Sequence, residues 1–167
     1  MSKSFDCTVE SAVSVQQIQT AFSERGYWLA RLEPHNGTAE LRSFDVGAGG
    51  EVRVTVAQDL RNTVLPGVLG KLYPGGVELV QSETWTVDRG DKVRGMIHVR
   101  AHGAPGSGRG TLEMTPTPDN KRLECSGTVK VKIPIVGGKI ESYFGRQMMD
   151  QIPEILRFIG QWTRERA

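Results

Sequence analysis

The chain predicts an α+β fold: one antiparallel sheet of about seven strands, covered by a single long helix at the C-terminus. Three observations predict it. From Lys3 onward, segment after segment alternates apolar and polar residues, the period of half-buried strands. The last of these segments is followed by the pair Gly137-Gly138, which frees the backbone to turn. Beyond that pair, Ile140, Phe144, Met148, Ile152, Ile155, Ile159 and Trp162 recur at helical spacing. One helix laid across one sheet leaves a cavity between the layers, so the pattern points to a small-molecule binding scaffold.

Lys3 to Glu10 sets Phe5, Cys7 and Val9 against Asp6, Thr8 and Glu10, a half-buried strand. Ser14 suits an N-cap, and Val15, Ile18, Ala21 and Phe22 form a short helical stripe that Gly26 breaks. Tyr27 to Leu32 reads as a second short helix, closed by Pro34. Thr38 to Val46 and Glu51 to Val56 are strands joined by the turn Gly47-Ala48-Gly49-Gly50. Val77 to Asp88 and Lys92 to His102 are strands around the turn Arg89-Gly90-Asp91. Gly103 to Gly108 reads as a flexible loop, after which Thr111 to Thr115 continues the sheet. The last strand, Arg122 to Ile135, alternates most cleanly. It puts Leu123, Cys125, Gly127, Val129, Val131, Ile133 and Ile135 on an apolar face. Leu60 to Pro74 fits neither period. It is apolar, holds two prolines and is too long for a tight hairpin, so it reads equally as a gate and as a plug at one end of the sheet.

A chain of 167 residues suits one domain over 1–167 with its own core. A net charge of +2, with basic residues interleaved among acids, offers no concentrated basic surface for nucleic acid. Arg157, Arg164 and Arg166 sit near the helix end, where positive charge suits the macrodipole. No apolar run reaches the length of a membrane span, and Met1 to Asp6 lacks the apolar segment of a signal peptide. A cytoplasmic location is therefore expected. Cys7 and Cys125 then read as two buried free thiols in a reducing compartment.

Candidate chemistry is sparse. His35 lies in the turn Pro34-His35-Asn36-Gly37 and is expected in solvent, as are His98 and His102, which fall on the face opposite Ile97 and Val99. Neither cysteine has an adjacent positive charge to activate it. Glu83 shares a parity with Val77, Leu79, Gln81 and Trp85, which would aim its carboxylate inward; the opposite parity puts it in water. Its expected partner is Arg61. Tyr143, Gln147 and Gln151 flank the apolar stripe of the long helix, where they either orient a ligand or mark the edge of water. Pro153 removes one helical hydrogen bond. Metal-ligand spacings, phosphate loops and nucleophile elbows are missing, and no cofactor is expected.

The element order, together with Ser4-Phe5, Tyr27-Trp28-Leu29-Ala30-Arg31-Leu32, Gln58-Asp59-Leu60-Arg61, Lys71-Leu72-Tyr73-Pro74-Gly75, Glu83-Thr84-Trp85 and Val136-Gly137-Gly138-Lys139-Ile140-Glu141, resembles the START and birch-pollen-allergen superfamily. That superfamily (SRPBCC, polyketide cyclase-like) includes cyclases, aromatase domains and plant hormone receptors. More closely, the chain resembles an uncharacterised bacterial branch of it, a domain of unknown function. The resemblance implies the helix-grip fold, in which the curved sheet wraps the C-terminal helix around a cavity.

The expected function is binding or carriage of a hydrophobic or amphipathic small molecule, lipid- or polyketide-like, without catalysis. Its walls would be Val54, Val56, Ile97, Val99, Val129 and Val131 from the sheet, and Phe144, Met148, Ile152 and Ile155 from the helix. Gln81 and Glu83 would supply polarity, and Leu65, Leu69 and Tyr73 the mouth. The alternatives are a cyclase- or aromatase-like enzyme using Glu83, Gln81 or Tyr143, and a filled interaction module docking through the irregular segment.

Overall fold

The computed structural model describes residues 2–35, 37–60, 71–88 and 92–166. Strand β1 (Ser2–Ser11) is followed by helices α1 (Val15–Phe22) and α2 (Arg25–Leu32). Then come β2 (Ala39–Val46), β3 (Val52–Asp59), β4 (Glu78–Asp88), β5 (Lys92–His102), β6 (Gly106–Pro116) and β7 (Lys121–Val131). Helix α3 (Gly137–Glu165) ends the chain. The strands form one antiparallel sheet in the order β1-β7-β6-β5-β4-β3-β2, so the first strand pairs with the last. This is the α+β, helix-grip arrangement that the sequence predicts.

Local chemistry starts and stops the helices. The Ser14 hydroxyl accepts a hydrogen bond from the Gln17 amide at 3.0 Å, and Gln17 Oε1 accepts one from the Ser14 amide at 3.0 Å, a capping box. Near the start of α3 the buried Glu141 accepts from the Val131 amide at 2.9 Å, which ties the end of β7 to the beginning of the helix. Lys3 Nζ donates to the Gly138 carbonyl at 2.9 Å, holding edge strand β1 to the same region.

Two expected boundaries move. The glycine-rich stretch expected as a flexible loop is the start of β6, which begins at Gly106. The last strand stops at Val131 instead of Ile135: its partner β6 begins opposite it at Gly106, and Pro134 further on has no amide to donate to a ladder. Ile135, expected on the apolar face, is instead 100% exposed in the left-handed region at φ 72°. The turn at 89–91 and residues 61–70 lie outside the described residues, and with them the choice between gate and plug, Leu65, Leu69 and Arg61.

The register sorts the inner face of the sheet into transverse rows. Val52, Trp85, Gly95, Leu112, Cys125 and Cys7 form one row near the end covered by α1 and α2. There Phe22, Tyr27, Trp28 and Trp85 pack with ring centroids 4.8–5.5 Å apart, and Tyr27 also meets Phe158 and Trp162 of α3. Each such ring, fully buried, stabilises the fold by roughly 1.5–3 kcal/mol. The next row is Val54, Glu83, Ile97, Gly110, Gly127 and Phe5. Helix α3 comes down on it: a β-carbon at Gly145 would clash with the edge of the Phe5 ring, and one at Gly127 would lie 3.8 Å from Met149 Cε. This close approach closes off the aromatic core and leaves the other end of the sheet spanned but unfilled.

A cavity under the C-terminal helix

Beyond that contact, two further rows floor a cavity of about 180 Å³. One row runs Gln81, Val99, Gly108, Val129; the other runs Gln58, Leu79, Ala101, with Gly106 and Val131 continuing it across β6 and β7. Glycine at positions 106 and 108 puts no side chain where a valine would fill the space. A β-carbon at Gly108 would meet nothing nearer than the Thr128 carbonyl at 3.5 Å. The roof is α3, through Ile140, Phe144 and Met148. Along one flank of that helix, Tyr143, Gln147 and Gln151 line the cavity and are also exposed, so they stand at its rim.

Of the expected wall, Gln81, Val99, Val129, Val131, Phe144 and Met148 line this cavity. Val54 and Val56 do not. Val54 is buried in the main core, and Val56, opposite Gln81 at the β3 end of the cavity row, packs against that core. Ile97 is half-buried on the Glu83 row, facing Gly110. Ile152 and Ile155 lie past the point where α3 meets the sheet, and line a separate apolar space of about 40 Å³. Tyr73 packs on Ile133 and Ile140 at the same end as the large cavity.

Glu83 points inward, 3% exposed. Its described hydrogen-bond partners come from its own strand: Gln81 Nε2 donates to Oε2 and Trp85 Nε1 to Oε1, both at 2.9 Å. The carboxylate borders the small space, which Arg31 of α2 also lines. Burial works against the Arg31 charge, but the Tyr27 oxygen and the Glu83 carboxylate more than offset it and hold its pKa above the ordinary value. The Arg31 guanidinium also sits 5.0 Å from the Trp28 ring centre. Tyr27 is fully buried, with Arg31 beside its ring at 5.8 Å. Among the described residues its hydroxyl has no well-formed hydrogen bond. Burial pushes its pKa up to about 12.

Some lining residues escape the sequence reading. His35, expected in solvent, is half-buried and lines the cavity, with Nδ1 3.5 Å from Gln58 Nε2. Its short 3-10 turn (Glu33–His35) folds back onto the sheet edge, which residue spacing does not reveal. The alternation of Gly106, Gly108 and Gly110 was a readable strand signal. His98 and His102 are exposed, as their parity predicts. Cys7 and Cys125 are direct partners across β1 and β7. No helix among the described residues is long and apolar enough to cross a membrane.

Comparison with known proteins places this geometry. The chain is 31% identical over 169 residues to the uncharacterized protein Rv0481c of Mycobacterium tuberculosis, and equally to Mb0491c of Mycobacterium bovis, covering 97% of each chain. Among solved structures it resembles the di-domain ARO/CYC StfQ from the steffimycin biosynthetic pathway, with a TM-score of 0.63 and 19% identity; all of this chain matches about half, 52%, of that one. A conserved protein from Geobacillus kaustophilus matches with a TM-score of 0.56 and 11% identity over 95% of this chain and 96% of that one. Ara h 8.0201 matches with a TM-score of 0.51 and 14% identity over 99% of both. At these identities the likeness is one of fold. With its full-length mycobacterial relatives and a family model that matches residues 6–163, the chain belongs to the family described as a protein of unknown function, DUF2505.

Proposed function

We propose that the protein binds a compact hydrophobic or amphipathic molecule in the cavity between the sheet and α3. The observation that carries this reading is the cavity of about 180 Å³, floored by valines and side-chain-free glycines and rimmed by polar groups. An apolar cavity of about 150 Å³ stays dry and takes up benzene, so this one suits a body of one or two rings. Affinity would come from burial at roughly 25 cal/mol per Å² of apolar area, less the cost of immobilising the ligand. Gln81, Val99, Val129, Val131, Phe144 and Met148 would make the contacts.

Two substitutions and a fluorescent apolar probe test the reading. Met148→Ala beside an existing void should cost less than the roughly 2–5 kcal/mol of a packed core. Val131→Phe should fold normally and lose the probe. A filled interior would reverse both outcomes, since overpacking costs roughly 1–3 kcal/mol. If Val131→Phe unfolds the protein and the wild type takes up no probe, the container reading is wrong. Mass spectrometry of compounds extracted from the purified protein would show the class of ligand directly.

A further inference from the structure

We propose that Gln81 reads a hydrogen-bond donor on the bound molecule, a hydroxyl or N–H group, and that Glu83 is the positioning residue that sets it to do so. The inference rests on the ligand-binding reading of the cavity given above. Gln81 lines the cavity on the row of Val99, Gly108 and Val129, so its amide is a polar point on an otherwise apolar strip of floor. Its nitrogen donates to Glu83 Oε2 at 2.9 Å. A carboxylate can only accept. The nitrogen of Gln81 must therefore face Glu83, and the carbonyl oxygen is turned away from it, toward the ligand space. A flip of the amide would set oxygen against oxygen in a buried place, where a charge-assisted bond is strongest.

The anchor itself is held. Trp85 Nε1 donates to the other carboxylate oxygen at 2.9 Å, and Arg31 borders the same small space with its positive charge. The other polar groups of the cavity lack such a fixture among the described residues. Gln58 meets His35 at a long 3.5 Å, and Gln147 and Gln151 are exposed at the rim. Gln81 is thus the amide whose orientation the protein has fixed before a ligand arrives, and it offers an acceptor. An acceptor held in an apolar wall favours ligands that donate, because a partner without a donor leaves the oxygen desolvated and unpaired.

The test compares β-naphthol with β-methylnaphthalene, two ring compounds of nearly equal shape that differ by OH for CH₃, with binding followed by fluorescence. Gln81→Leu should weaken β-naphthol about tenfold relative to β-methylnaphthalene, the loss of one hydrogen bond. Retained binding of β-methylnaphthalene within about twofold shows that the variant is folded and its cavity intact; Gln81→Met repeats the test with a more adaptable side chain. Glu83→Gln replaces an acceptor with a group that also donates, so the Gln81 amide is free to turn. It should reduce the hydroxyl preference about threefold while leaving β-methylnaphthalene unchanged, which a merely structural role would not do. If Gln81→Leu shifts both compounds alike, or neither, the donor-reading role is refuted while the cavity stands. If Glu83→Gln keeps the full preference, Glu83 is not the positioning residue. If the wild type binds neither compound, the ligand-binding reading fails and takes this inference with it.

Discussion

Replacing Gly95 with alanine puts the contacts behind the cavity under direct load. In an ordinary strand interior this change stabilises by about 0.5–1 kcal/mol, since glycine loses the most chain entropy on folding. Here a β-carbon would lie 2.6 Å from Trp85 Cε3 and 2.7 Å from Cη2, and closer still to Cζ3. The indole has little freedom to retreat. Its ring packs on Phe22 with centroids 4.8 Å apart, and its Nε1 donates to the buried Glu83. Overpacking costs roughly 1–3 kcal/mol. If the ring swings aside, the hydrogen bond to a charged acceptor is lost as well, about 1.5–3 kcal/mol. Set against the strand gain, Gly95→Ala should destabilise by about 2–5 kcal/mol. Urea unfolding measures this as a lower midpoint at unchanged slope. In a Trp85→Leu background the same substitution should become neutral or stabilising, a coupling that a double-mutant cycle isolates. An alanine protein as stable as the wild type, or one whose cost persists without Trp85, would refute the reasoning.

Other predictions follow from single residues. Ile135→Gly should stabilise by about 0.5–1 kcal/mol, because the left-handed conformation costs a side-chain-bearing residue about 1–2 kcal/mol and glycine gives back part of that through the unfolded chain. The Ile135 side chain is fully exposed, so no packing is lost, and a lower thermal midpoint would contradict this. Burial first, and Cys7 beside it second, push the Cys125 thiol pKa well up. Thiol reagents should therefore label it only as fast as the protein opens, and rapid stoichiometric labelling of the native state would overturn that. Tyr27 ionises at about 12 in the folded protein against an ordinary 10.0, so its contribution to stability is whole below 10.0 and is lost as pH rises to about 12. Tyrosinate absorbance should lose its most alkaline component in Tyr27→Phe; an unchanged titration would count against the assignment.

The strand periods, the Ser14 cap and the stripe of α3 were legible because each is set by neighbours in sequence. Of the two parities the sequence leaves open for Glu83, the structure takes the one shared with Leu79 and Trp85. What governs the cavity is less local. Val54 and Ile97 share parity with cavity residues, and only the place where α3 touches the Phe5–Gly127 row decides which side of the divide they fall on. That contact depends on Gly145, a residue that reads as a weak point in a helix until its partner is known. Glycines at 106 and 108 read as part of a loop by composition, although their spacing of two, continued at Gly110, is that of a strand. Gln81 and Trp85 reach Glu83 from two residues away on the same face, bonds that strand parity allows but does not specify, while Arg61, its expected partner, lies outside the described residues.

The pairing of β1 with β7 has a consequence for how the chain comes to be folded. Cys7 and Cys125 are neighbours across the ladder but about 120 positions apart in the chain. At about 5–20 residues per second of synthesis, β1 waits roughly 6–24 s before its strand partner exists. Until then Phe5 has no Gly127 beside it, and α3, which must rest on both, has not been made. The cavity therefore forms last, as one event with closure of the sheet edge, so a ligand cannot template the earlier steps. Chains arrested before Lys121 should be cleaved rapidly by protease with or without an apolar ligand, whereas the released protein should resist. Ligand protection of the arrested chain would show that the container assembles before its last wall.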